Sequence, residues 1–552
     1  MKKQKENTKN TFVKGAAILG IAGLTVKILG AVFRLPLAGM IGAEGMAYYS
    51  PAYYAYTVFV VIATSGIPVA ISRMVSERIT VQEYGEAHRV FQISLKLMTG
   101  IGIITFVIMF FGSGFLADLF GIKEASLSMK TVAPALLFVP IMAAYRGYFQ
   151  GMQNMKPTAI SQVIEQVFRV FFGLLLGYLL YNGSVGAGLS SKFSAGEKGA
   201  AGAAFGATIG SFAGLALILF IYVLSKRMIF GRIRRYGSGR SALSNKEILG
   251  RILVIAVPIT IGAAITPIMN LIEVPVIMKA LINSGWDRSV ANNLYGQISG
   301  FCTPIINMPQ VLTMALAMSL VPLISSAFKR QDTEELRYNT AFAMKIAMVI
   351  GMPCAIGMAV LAEPILLLLY SSRWNEAVSA APTFAILAIG VIFVSVVQTV
   401  SGILQGVGKQ NIPVINFIIG LVIKIILTYI LVSVKSLNIK GAAIATVITY
   451  VIVAALDVKA TKKYLKVKFN ITDVYIKPAI SAIVMGAVAW FIYYVCFGGV
   501  QGSKLICALA IITAGIVYLF MLIITKTFDS KEIEHIPGGE KINGLISKFN
   551  RK

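Results

Sequence analysis

Apolar stretches of about twenty residues recur fourteen times along this chain, and that recurrence limits its fold more than any other feature. They lie at about 16–40, 51–72, 90–112, 127–147, 157–181, 200–225, 250–278, 293–327, 340–362, 377–404, 411–433, 440–458, 475–497 and 503–526. Each is near the ~20 residues that cross the hydrocarbon layer of a bilayer. In lipid a helix satisfies its own backbone polar groups, so repeated runs of this length predict repeated spanning helices. The expected fold is an all-α polytopic membrane protein of about fourteen transmembrane helices. Charged residues make up only 13% of 552 positions, too few to cover a soluble protein of this length.

The start of the chain tests this reading. Lys2, Lys3, Lys5, Lys9 and Lys14 precede the first apolar run, as in a signal peptide. Lys27 and Arg34 interrupt that run, however, and no small-residue cleavage site ends it, so it reads as a retained helix.

The net charge of +27 suggests nucleic acid until its distribution is followed. With the N-terminus in the cytoplasm and loops assigned alternately, 36 of the 50 Lys and Arg fall on the cytoplasmic side and 10 on the other. The remaining four, Lys27, Arg34, Arg169 and Lys424, lie inside helices. This is the bias that orients membrane proteins, and it predicts cytoplasmic N- and C-termini. The basic loop at 225–240, SKRMIFGRIRRYGSGR, reads as a topology anchor near anionic lipid, and no nucleic-acid partner is expected.

The same loop separates two related halves. YRGYFQGMQNMKPTAISQVIEQVFRV at 145–170 is echoed by SGILQGVGKQNIPVINFIIGLVIKI at 401–425. Gly147, Gln150 and Gly151 recur as Gly402, Gln405 and Gly406, and Arg169 falls on Lys424. GIPVAIS at 66–72 echoes LVPLISS at 320–326, RLP at 34–36 echoes EVP at 273–275, and GAAFGAT at 202–208 echoes GAAIAT at 441–446. Halves with an even number of helices begin on the same side, so these are parallel repeats. The expected organisation is an N-terminal lobe at 1–235 (helices 1–6), a C-terminal lobe at 236–465 (helices 7–12), and helices 13–14 with a basic tail at 466–552. Two such lobes facing each other would enclose a central cleft suited to alternating access.

Charge inside a spanning helix is costly, so each instance asks for a cavity or a partner. Lys27 and Arg34 lie seven residues apart on one face of helix 1. Lys27 is deep and points to a substrate cavity; Arg34 either joins it or snorkels to the outer interface. Glu273 is the second-half counterpart of Arg34, opposite in sign, and suits a gate pair across the lobes. Glu165 and Arg169, four apart, form either a structural ion pair or a substrate contact. Arg146, at the cytoplasmic end of the preceding helix, is a candidate to join that pair, and Arg146 and Lys424 are additional cavity candidates. The tyrosines of YYSPAYYAY at 48–56 read first as an aromatic belt at the outer interface, and otherwise as a surface for sugar stacking.

No catalytic grammar accompanies these charges. There is no HExxH, GxSxG or Walker loop. The two His and four Cys show no metal-ligand spacing, and the Cys sit in apolar runs where burial explains them. No metal, cofactor or enzymatic activity is expected.

At YRGYFQGMQNMKPTAISQVIEQVFR the sequence resembles the polysaccharide-biosynthesis and lipid II flippases of the multidrug/oligosaccharidyl-lipid/polysaccharide exporter superfamily. Its Gram-positive branch, that of stage V sporulation protein B, is the most similar. TFVKGAAILGIAGLTVKILGAVFRLPLAGMIGAEG near the start and GIPVAIS carry the same resemblance. It implies two six-helix lobes around a V-shaped cavity, two extra C-terminal helices that help form a lipid-tail groove, and an undecaprenyl-pyrophosphate-linked substrate. Lys27 and Arg34 match the helix 1 cations of Gram-negative lipid II flippases, Arg34 with a one-residue shift. The cations of helices 2 and 8 have no counterpart here.

The expected function is a flippase in a bacterial plasma membrane that moves a lipid-linked cell-wall oligosaccharide, lipid II first among candidates, by alternating access. Lys27 and Arg34 are the expected substrate-binding residues. Membrane lipids and a coupling ion or the membrane potential complete the expected partners. A proton- or sodium-coupled multidrug exporter of the same superfamily is the alternative, and a membrane enzyme acting on lipid-linked sugars a more distant one.

Overall fold

The structure, a computed structural model, describes residues 2–184, 192–236, 243–467, 469–496, 503–529 and 532, with backbone alone for 2–14, 16 and 17. The ends of the basic loop (237–242) and of the C-terminal tail (533–552) lie outside the described residues. Among the described residues every regular element is helical. Thirteen helical segments are long and apolar enough to cross a membrane, judged by length and composition.

The first of these would be about 95 Å long if straight, enough for two crossings, so about fourteen crossings are present. It begins with α1 (Lys2–Thr64), which bends at Gly42, where φ is 70°. That left-handed value favours glycine, which has no Cβ to clash. The break expected near 41–50 is therefore a kink at one residue, with helix on both sides of it. The chain continues through α2 (Ile67–Thr80), α3 (Tyr84–Phe111), α4 (Ser113–Phe120), α5 (Ala125–Val132), α6 (Ala135–Gly151), α7 (Lys156–Tyr181), α8 (Ala195–Tyr236), α9 (Asn245–Asn283) and α10 (Arg288–Gly296). A π-helical turn, Gln297–Cys302, leads into α11 (Thr303–Lys329). There follow α12 (Thr333–Val360), α13 (Ala362–Leu369), α14 (Trp374–Gly406), α15 (Asn411–Val432), α16 (Lys440–Leu465), α17 (Lys477–Trp490) and α18 (Lys504–Ile524).

These helices pack as two compact units: residues 1–282 with 286–300, and residues 283–285 with 301–552. Lipid tails are as apolar as Leu, so helices in a bilayer associate through close packing rather than hydrophobic expulsion, and small residues mark the contacts.

In the first unit, α6 lies directly on α2. A Cβ on Gly147 would stand 2.8 Å from the Pro68 carbonyl oxygen, and one on Gly151 would stand 2.7 Å from Val75 Cβ. Helix α8 lies as close to α7: a Cβ on Gly206 would meet Gly173 Cα at 2.4 Å, and one on Gly210 would meet the Glu165 carbonyl oxygen at 2.5 Å. At the end of the unit, Gly296 abuts the Ala43 backbone and Gly300 abuts Met46, fastening the segment around α10 to α1 just past its kink.

The second unit repeats the first of these contacts. A Cβ on Gly402 would lie 2.8 Å from the Ala317 carbonyl oxygen, and one on Gly406 would lie 2.9 Å from Ile324 Cβ, so α14 lies on α11. The two echoed motifs, GxxQG and the GIPVAIS/LVPLISS pair, are therefore the two sides of one helix–helix contact built twice. Gly441 presses on Leu431, closing α16 onto α15. The segment after α18 is tied down as well. Lys345 of α12 donates from Nζ to Glu532 Oε1 and Oε2 at 2.8 and 2.9 Å and to the Thr527 carbonyl at 3.0 Å, and both side chains are buried.

Candidate functional site

Four of the candidate charges of the first unit, Arg34, Arg146, Glu165 and Arg169, are joined along one line of side chains. It starts on α1, whose tyrosines 49, 53 and 56 stand at i, i+4 and i+7 and so share a face. Their rings run in sequence, Tyr49 to Tyr53 at 5.8 Å between centroids and Tyr53 to Tyr56 at 6.0 Å. Tyr49 and Tyr56 are each 3% exposed. They do not form an outward aromatic belt: past the kink at Gly42, Tyr49 and Tyr56 pack inward.

Arg34, half-buried on the segment before the kink, lays its guanidinium carbon 4.9 Å from the Tyr53 ring centroid. A guanidinium over a desolvated ring is favourable by about 0.5–2 kcal/mol. At the far end of the tyrosine line, Arg169 of α7 donates from Nη2 to the Tyr56 hydroxyl at 3.1 Å.

Glu165 stands between two cations. Its Oε2 accepts from Arg146 Nη2 at 3.0 Å, and its Oε1 lies 3.6 Å from Arg169 Nη2, too far for a hydrogen bond. Arg146 also donates from Nε to Ser161 Oγ at 2.9 Å. The carboxylate is thus hydrogen-bonded to Arg146 across the α6–α7 turn, while Arg169 leans on a phenol. Arg169 Nε is buried without a hydrogen-bond partner. The result is a half-buried cation only partly compensated by its neighbours.

Glu273 of α9 is half-buried, and Tyr295 of α10 is buried within electrostatic reach of Glu273, Arg34 and Tyr54. Arg34 and Glu273 therefore share a neighbourhood around one phenol in the first unit. Lys27 lies two turns before Arg34, about 10 Å along the helix, and is exposed. Lys424 lies in the second unit, half-buried on α15. Lys27, Arg34, Arg146 and Arg169 against Glu165 and Glu273 leave the candidate charges of the first unit with a surplus of two positive charges. Among the described residues no group of three or more His, Cys, Asp or Glu is placed to hold a metal.

Sequence reasoning singled out the cations, and read the tyrosines that connect them first as an interfacial belt and only otherwise as a binding surface. The signal was present in the 49/53/56 spacing, but a row of tyrosines near a helix end reads more simply as an interface.

An apolar groove of 510 Å³ runs beside this site between α1 and α7, lined by Leu29, Met40, Val167, Val170, Phe171, Leu174, Leu175 and Tyr178.

Fold and site define a multi-pass membrane protein of transporter type. The chain belongs to the polysaccharide biosynthesis protein family, whose model matches residues 12–328, and a MatE family model matches residues 298–430. Both place it in the MOP exporter superfamily. It is 27% identical over 527 residues to the lipid II flippase MurJ of Bacillus subtilis, covering 92% of this chain and 94% of that protein. It is also 27% identical over 532 residues to stage V sporulation protein B of the same organism, covering 96% and 98%. Among solved structures, lipid II flippase MurJ in an inward closed conformation superposes with a TM-score of 0.66 at 17% identity, covering 92% of this chain and 98% of that one. An inward-facing multidrug resistance MATE family transporter also gives 0.66, at 16% identity, covering 80% and 94%. At such identities the structural likeness establishes the fold alone.

Proposed function

We propose that this protein is a flippase for a lipid-linked cell-wall oligosaccharide, lipid II being the leading candidate, working by alternating access in a bacterial plasma membrane. The observation that carries this reading is the positive line Arg34–Tyr53–Tyr56–Arg169. A sugar–pyrophosphate head must shed water from every charge and hydroxyl to enter a bilayer. Guanidinium groups replace water at the phosphates, and tyrosine rings and hydroxyls replace it at the sugars. Lys27 and Arg34 bind the anionic head in this proposal, with Arg169 extending the cationic surface, while the groove between α1 and α7 offers an apolar seat beside it.

The lobes at 1–235 and 236–465, with helices 13–14 and tail at 466–552, are the moving parts of this proposal, and both termini face the cytoplasm. A coupling ion or the membrane potential supplies the drive. Two Bacillus relatives of nearly full-length similarity support the assignment, one of them named as a lipid II flippase. The shared fold with multidrug transporters keeps export of cationic drugs as the alternative, but a surplus of two positive charges repels such cargo.

The test has two parts. Expression in cells depleted of their essential lipid II flippase should restore growth, and purified protein in vesicles should move labelled lipid II between leaflets. A protein that rescues neither, yet lowers accumulation of a cationic dye, is an exporter.

A further inference from the structure

Helix α8 continues well past the apolar part of its sequence. Its uninterrupted apolar run ends at Leu224, and Ser225–Tyr236 adds five cations among Met228, Ile229, Phe230 and Ile233 without breaking the helix. At 1.5 Å per residue, Met228 and Arg232 stand about 6 and 12 Å beyond Leu224, the depth of a headgroup layer. There Tyr84 of α3, with Met228, Gly231, Arg232, Arg235 and Tyr236 of α8, surrounds a cavity of 430 Å³.

The cup has a built floor and two unneutralised cations. The Tyr84 and Tyr236 rings lie 5.3 Å apart, and the Arg232 guanidinium carbon is 5.9 Å from the Tyr84 centroid. The neighbouring carboxylate, Glu83, is held by Arg78 at 2.6 Å. Among the described residues no acidic group pairs with Arg232 or Arg235, and both are exposed.

A second cavity, of 150 Å³, shares Tyr84, Met228 and Arg232 with the cup and is otherwise mostly apolar, lined by Ile79, Phe149, Met152 and Ile233 among others. A polar, doubly cationic cup opening onto an apolar slot is the shape of an anionic amphiphile. A soluble anion would need the cup alone.

We propose that Tyr84, Arg232, Arg235 and Tyr236 form a binding site for the phosphate headgroup of an anionic glycerophospholipid, whose glycerol and first acyl carbons enter the adjoining slot. This site is separate from the Arg34–Arg169 line and does not depend on which substrate is flipped. The planar guanidinium forks suit a phosphate diester through paired hydrogen bonds, which a diffuse basic patch does not provide.

The experiment measures phosphatidylglycerol retained by the purified full-length protein, by native mass spectrometry, against phosphatidylcholine as the zwitterionic control. Arg232→Gln with Arg235→Gln should lower phosphatidylglycerol retention by about tenfold or more, as expected from losing two charge-assisted contacts. Lys226→Gln with Arg227→Gln removes the same charge from the same helix, outside the cup, and should leave retention within about twofold. All four side chains are exposed, so neither pair threatens folding. Equal loss from both pairs would show diffuse attraction and overturn the site. Displacement of the lipid by millimolar inorganic phosphate would assign the cup to a soluble anion and overturn the lipid.

Discussion

Arg169 and Tyr56, 113 residues apart in sequence, are joined by a 3.1 Å hydrogen bond from α7 to α1. The bond holds the tyrosine line of α1 against the charged turn of α6 and α7, so that Arg34 at one end and Arg146 at the other belong to one connected structure. Tyr56→Phe removes the acceptor and leaves a second nitrogen of Arg169 without a hydrogen-bond partner, with only the 3.6 Å approach to Glu165 remaining. A buried donor so stranded costs about 1–3 kcal/mol, so the variant should melt several degrees lower in detergent while keeping its fold. An unchanged melting temperature would mean that the phenol contributes only its ring.

The two sides of Glu165 should respond differently. Glu165→Gln leaves the half-buried Arg146 and Arg169 together without a carboxylate, a loss of up to about 3–5 kcal/mol, the range for a fully buried pair broken on one side. Adding Arg146→Gln should recover more of that loss than adding Arg169→Gln, because Arg146 makes the 3.0 Å hydrogen bond and Arg169 only the 3.6 Å approach. Melting curves of the single and paired variants decide this. Equal recovery would mean that the carboxylate serves both cations alike.

The repeat makes a paired prediction about glycine. Gly151→Ala and Gly406→Ala each place a Cβ within 3 Å of a neighbouring side chain, at Val75 and Ile324 respectively. Overpacking of this kind costs about 1–3 kcal/mol. Gly100→Ala, where nothing lies within 4 Å, should be neutral or stabilising through helix propensity. Similar losses at 151 and 406, read from thermal unfolding, are the expected outcome. A tolerated change at either would show that the two contacts are not equivalent.

Most of the fold was legible because a bilayer makes length and apolarity nearly sufficient. The repeat was legible because GxxQG and its partner motif are both sides of a contact too close for any Cβ. The site was only half legible. Cations inside apolar runs announce themselves, so Lys27, Arg34, Arg169 and Lys424 were found from the sequence. Which carboxylate or phenol each would meet depends on how helices cross. Spacing within one helix suggested Glu165 for Arg169, whereas Arg146, nineteen residues away and across a turn, makes the hydrogen bond. The inward packing of Tyr49 and Tyr56 depends on how helices meet past the kink at Gly42, which no periodicity reports.

The ion pair between Lys345 and Glu532 offers a stability test away from the site. Lys345 and Glu532 are buried and bonded at 2.8 and 2.9 Å, so Glu532→Gln leaves an ammonium held only by one carbonyl and its weaker neighbours. A loss of about 3–5 kcal/mol is expected, with Lys345→Met in the same chain recovering much of it. Limited proteolysis should then cut after Ile524 in the single variant sooner than in the double. Equal cutting in both would show that the tail is held by its other contacts.

Arg34 and Glu273 stand two residues before Pro36 and Pro275 in matching parts of the repeat, and both lie within electrostatic reach of Tyr295. Opposite charges gathered at one phenol suit a gate that is closed when they associate and open when they part. A partly exposed pair contributes about 0–1 kcal/mol, yet that is enough to shift a nearly balanced two-state equilibrium several-fold. Arg34→Gln and Glu273→Gln should each favour the open state and raise the reactivity of a cysteine at Met40 toward a membrane-impermeant thiol reagent. The measurement needs a background without Cys302, Cys354, Cys496 and Cys507, all of them free thiols. Exchanging the charges, Arg34→Glu with Glu273→Arg, should return reactivity toward the native level, because attraction survives the swap while every other contact of the two side chains changes. If the exchanged protein reacts like the single variants, the charges do not act on each other, and each is an interfacial anchor for its own helix.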